Sequence, residues 1–294
     1  MRPEQNRGYI LVLTAGVLWG AIGFFATMLS GLGMNAGPMA FFRGMSASFI
    51  LALLMLIKGK GLSLFHISRK GFFSCMLVGA ISQAAYNFCY MNAIEQTGMA
   101  TAAVLLYTSP IYVALISRIF FREPLTGNKI AAIAMNFTGC VLTVTGGKFS
   151  DLRISGFGLL MGALAGFCYA LLPILSRTGA DRENPFTAAF YQQAFGMLFL
   201  LFLIRPYQNV GTTFSWKILL ILLGFGLVPS SLGYLAYCSG ISRIRETSRI
   251  PVLASVETAV AAVIGLLVFG QELSFVMVIG IALVLCSVAM MNAR

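Results

Sequence analysis

Residues 247–269 read TSRIPVLASVETAVAAVIGLLVF. At a helix rise of about 1.5 Å per residue, this stretch is long enough to cross a hydrocarbon core about 30 Å thick. Its one acidic residue, Glu257, lies ten residues past Thr247. That places it roughly 15 Å deep, near the midplane. A carboxylate there costs about 2.5–3.5 kcal/mol on insertion scales, so it is kept where it faces a partner, a cavity or a pathway.

The rest of the chain is of the same kind. It is 59% hydrophobic and only 10% charged, where soluble domains carry about a quarter of charged residues. The composition is that of a polytopic membrane protein, with the lipid bilayer as its first partner. The net charge of +11 is spread over short loops and not gathered into a stripe, which argues against nucleic acid. The first apolar run, residues 8–29, can span, so neither a cleavable signal peptide nor a soluble domain at either end is expected. Cys75, Cys89, Cys140, Cys168, Cys238 and Cys286 all fall in apolar segments without CxxC spacing. They read as small buried hydrophobes, and the methionines as packing. No metal site and no cofactor is expected.

Ten apolar spans follow from hydropathy and length: 8–29, 36–57, 71–94, 98–120, 128–146, 154–177, 185–204, 215–239, 247–269 and 274–292. With the N-terminus inside, fifteen Lys and Arg fall on inner loops and tails. Only Lys148, Arg153, Arg205 and Lys217 fall outside, and Arg43 lies within span two. The bias predicts a multi-pass protein of the plasma (inner) membrane with both termini cytoplasmic.

The halves repeat at an offset near 147–150. Phe41-Phe42-Arg43 reads against Phe190-Tyr191-Gln192, Asn87 and Tyr90 against Tyr234 and Tyr237, and Glu123 against Glu272. Five spans is an odd number, so the second half threads the bilayer in the opposite sense. The predicted fold is therefore all-α, with ten transmembrane helices in two inverted five-helix repeats, 8–146 and 154–292. Such repeats hold substrate near the midplane where the halves meet.

Span three carries Gln83, Tyr86, Asn87 and Tyr90 on one helical face, and span eight carries Ser230, Tyr234 and Tyr237 in the same rhythm. Lipid offers these groups no hydrogen bonds, so both faces should look inward. They read either as interhelical glue or as the lining of a pathway. Trp19 and Tyr169 are aromatics at matching mid-depth positions, open to packing or to a cavity wall. In span four, Tyr107 and Thr108 precede Pro110, which bends the helix. Glu257 has three readings: a proton carrier, the partner of a substrate ammonium, or a satisfied structural carboxyl. The candidate cavity is thus Trp19, Gln83, Tyr86, Asn87, Tyr90, Tyr107, Thr108, Pro110, Tyr169, Gln192, Ser230, Tyr234, Tyr237 and Glu257. Gly16/Gly20 and Gly158/Gly162/Gly166 are spaced for close helix contact. Spans five and ten carry few polar residues and read as scaffold or as the interface of a homodimer.

Catalytic constellations are missing. Asp151 and Asp181 lie in loops, and the single histidine, His66, lies in a basic loop. Gly146-Gly147-Lys148 is not a P-loop, because Leu142 stands where the first glycine is needed and Phe149 where Ser or Thr is needed. An enzyme is not expected.

Several of these motifs together resemble the EamA family of the drug/metabolite transporter superfamily. They are Gly16-Val17-Leu18-Trp19-Gly20, Phe41-Phe42-Arg43, Ser109-Pro110, Arg122-Glu123-Pro124-Leu125, and Glu257 with Gly270-Gln271-Glu272-Leu273. The resemblance implies a central cavity formed by spans other than five and ten. It also implies movement of small organic metabolites, often export of amino acids, by alternating access. Many members have proline after the span-nine Glu; here Thr258 follows. The expected function is secondary active transport, outward on the family's pattern, of amino acids or amine-bearing and aromatic compounds. The alternatives are a membrane sensor without translocation, or a channel for small solutes.

Overall fold

The computed structural model describes residues 3–58, 62–208, 210–213 and 215–292. Among the described residues there is no strand. Among the same residues, eight helices are long and apolar enough to cross a membrane. One of them, Arg69–Leu106, turns at Gly98 (φ 80°, ψ 165°) and so holds span three and the first part of span four. Span four resumes as Ser109–Phe120, and Gly127–Thr145 supplies span five. The result is ten membrane helices in two inverted five-helix repeats.

The irregularities of the two repeats match. Span three passes through a π-helical stretch, Val78–Ala85, and span eight through another, Gly226–Gly233, 148 residues later. Such widened turns free backbone groups and re-aim the side chains that follow; here those are Tyr86 and Tyr234. Span four breaks at Tyr107 and Thr108, span nine at Ser255. Span four can break because Pro110 lacks an N–H. Span nine has no proline at the equivalent point and uses hydroxyls instead. The Ser255 hydroxyl donates to the Val252 carbonyl at 2.7 Å and the Thr258 hydroxyl to the Ser255 carbonyl at 2.8 Å. Buried Asn136 of span five donates to both Ser255 and Ser287 Oγ, fixing the break against span ten.

The glycine steps meet where spacing suggested. A Cβ on Gly20 would lie 3.0 Å from the Glu257 carbonyl, and one on Gly166 would lie 3.0 Å from Thr108 Oγ1. Spans one and six therefore each press against the broken helix of the other repeat. Spans five and ten pack on one another through Gly139 and Gly280, which leaves their outer faces for lipid or a second copy.

Candidate functional site

The inward faces of spans three and eight are bonded directly. Gln83 Nε2 donates to the Tyr234 hydroxyl at 2.7 Å. Tyr86 stacks on Tyr90 at 5.7 Å between ring centroids and tilts against Tyr169 at 5.4 Å. Trp19 lies 5.0 Å from Tyr237 and 6.2 Å from Tyr234. Two aromatic groups result, one from spans three and six and one from spans one and eight.

Burial separates the candidate residues. Gln83, Tyr86, Asn87, Tyr90, Tyr107, Thr108, Tyr169 and Glu257 are each partly accessible although they sit in the bundle interior. Trp19, Pro110, Gln192, Ser230, Tyr234 and Tyr237 are buried. Gln192 is enclosed near Cys238, with its amide nitrogen left without a partner. Asn87 donates to the Gln83 carbonyl at 2.6 Å and Thr108 to the Leu105 carbonyl at 2.6 Å, so the hydroxyl and amide serve their own helices.

Two ionisable side chains of opposite type stand in this interior. Glu257 accepts no hydrogen bond from any described residue and is in electrostatic reach of Tyr86, Tyr90, Tyr107 and Tyr169. Arg43, from span two, donates to Ser230 Oγ at 3.2 Å and rests 5.5 Å from the Phe225 ring centroid. It is in reach of Tyr86 and Tyr234. Among the described residues the two side chains form no ion pair, either with each other or with a third group. Tyr86 alone is in reach of both. Arg43 borders a narrow cleft with Gln83, Asn87 and Gln193 between spans two, three and seven. A second cleft is bordered by Ser109, Tyr169, Tyr237 and Pro251. Glu257 borders neither cleft and is tied to the second only through Tyr169.

Four charged groups outside the candidate set join the end of span four to the start of span nine. Glu123, at the end of span four, accepts from the Thr247 N–H at 2.6 Å, the Ser248 N–H at 3.1 Å and the Ser248 hydroxyl at 2.7 Å. Buried Lys129 lies 3.2 Å from Glu246 and donates to Ser248 Oγ at 3.3 Å. Arg249 pairs with the same Glu246 carboxylate. Burial pushes that carboxyl up, but Arg249 and Lys129 outweigh burial and hold it below the usual range. The sequence signal for Glu123 was its recurrence as Glu272; its buried contacts were not legible from that alone.

The sequence pattern of the EamA-like transporter family matches residues 6–145 and 156–293. An uncharacterized transporter of Archaeoglobus fulgidus is 29% identical over 70% of this chain and 73% of its own. The threonine/homoserine exporter RhtA of Salmonella typhimurium is 23% identical over 72% of this chain and 68% of its own. A protein of known crystal structure, 18% identical, shares the fold with a TM-score of 0.77, covering 97% of this chain and 96% of that one.

Proposed function

Since the chain belongs to the EamA-like transporter family and is a multi-pass membrane transporter of small molecules, we propose that its substrates are amino acids or closely related amine-bearing compounds, moved by alternating access. One observation carries this reading: Arg43 and Glu257 form no ion pair among the described residues, and Tyr86 is in electrostatic reach of both. A lone buried charge is expensive. A zwitterion relieves both costs at once, its carboxylate at the guanidinium and its ammonium at Glu257. Tyr86, Tyr90 and Tyr169 supply apolar surface for a side chain. That a relative is named a threonine/homoserine exporter agrees with this chemistry. The charge bias of the loops supports cytoplasmic termini, and export is taken from the family's pattern. The inverted repeat favours a carrier over a channel.

The test is flux in proteoliposomes holding purified protein, with and without a pH gradient. Amino acids are compared with their decarboxylated amines and deaminated acids. Zwitterions should move fastest, and Glu257→Gln and Arg43→Gln should each cut their flux by about tenfold or more, the scale of one lost charged hydrogen bond. Zwitterion flux at the wild-type rate in both variants would remove the two charges from recognition.

A further inference from the structure

The two repeats carry matching glutamates in unequal circumstances. Glu123 ends span four and Glu272, 149 residues later, follows span nine. Glu123 is buried and spends both carboxylate oxygens on the start of span nine. Glu272 is exposed and has no hydrogen bond or ion pair among the described residues. The start of span four, its symmetry-equivalent target, lies at residues 98–101 by the same offset.

That target is built like an empty receptor. Span four begins after Gly98, whose φ of 80° breaks the chain out of span three and leaves a fresh helix start. Thr101, two residues past the position that this offset matches to Ser248, is 6% exposed, and its hydroxyl has no hydrogen-bond partner among the described residues. At the other end Ser248 gives its hydroxyl to Glu123. Packing follows the same asymmetry. The inner half of span four touches the start of span nine, while the far half of span nine makes no comparable contact with the start of span four.

In an inverted repeat, the two access states exchange the conformations of the two halves. A contact made by one repeat in one state is then made by the other repeat in the opposite state. We propose that Glu123 and Glu272 are alternating latches. Glu123 holds the start of span nine in the state seen here. In the opposite state it lets go, and Glu272 takes the backbone and Thr101 hydroxyl at the start of span four. Neither residue touches substrate; both act by positioning the broken helices that bear Tyr107 and Glu257.

The experiment measures spin-label distances in nanodiscs without substrate, so it stands apart from the question of what is carried. In a cysteine-free background, one label pair sits at Phe121 and Arg245 and a second at Met99 and Phe269. Glu272→Gln is the decisive variant, because it breaks no bond in the present structure. It should deplete the opposite state, with the second pair shut and the first apart, on the order of tenfold. Glu123→Gln should enrich that state, and the double variant should return towards the wild-type balance. A Glu272→Gln protein with both distance distributions unchanged would overturn the latch, as would one that shifts in the same direction as Glu123→Gln. If Glu123→Gln fails to fold, Glu272→Gln and Thr101→Val still decide, since both should lose the same state.

Discussion

The amide of Gln83 donates to the hydroxyl of Tyr234 across 2.7 Å, joining the equivalent helices of two repeats that lie 151 residues apart in sequence. Gln83 lies within one π-helical stretch and Tyr234 directly follows the other. Polar bonds between membrane helices average about 0.6 kcal/mol and reach about 1.7. Gln83→Leu and Tyr234→Phe should each lower thermal stability in detergent. The double variant should lose less than the sum, with a coupling of about 1 kcal/mol. Strict additivity would show that the bond does not hold the repeats together.

Asn136 should be the most sensitive polar residue of span five. It is wholly buried and bridges Ser255 to Ser287. Asn136→Leu strands two buried hydroxyls beside the break in span nine, although each keeps its own backbone acceptor. The expected cost is about 1–3 kcal/mol, read as a lower melting temperature. A variant as stable as wild type would mean that the backbone bonds alone set the break.

Gly20 and Gly23 provide a matched pair one turn apart. A Cβ at Gly20 would lie 2.5 Å from Val260 Cβ, whereas one at Gly23 meets nothing within 4 Å. Gly20→Ala should destabilise by about 1–3 kcal/mol through overpacking. Gly23→Ala should be neutral or stabilise by up to about 1 kcal/mol, from helix propensity. Size-exclusion profiles after a heating series compare the two directly.

Acid should weaken the junction of spans four and nine. The Glu246 carboxyl is held below its ordinary range by Arg249 and Lys129. A depressed folded value means its stabilisation is complete above the unfolded value, about 4.3, and is lost as pH falls through the lower folded one. Melting temperatures of wild type and Glu246→Gln should therefore differ at neutral pH and converge on acidification. A gap that stays constant down to the acid limit of the folded protein would assign the difference to something other than this charge.

Hydropathy and the bias of Lys and Arg determined the ten spans, because lipid judges each segment by its own length and apolarity. The offset repeat determined the inverted pairing, since matching residues such as Glu123 and Glu272 are visible in a string. The rhythm of spans three and eight also showed that both have an inward polar face. It did not separate Tyr86 and Tyr90, which stay partly open, from Tyr234 and Tyr237, which are covered by Trp19. That difference depends on how far each helix is rotated and on what its distant neighbour presents. The break at Ser255 was likewise hidden, because hydroxyls and Asn136 do there what proline does in span four. Only the folded chain decided that Arg43 and Glu257 share an interior without touching, and that one of two equivalent glutamates is buried while the other is exposed. A sequence repeat is symmetric by construction; a transporter caught in one state is not.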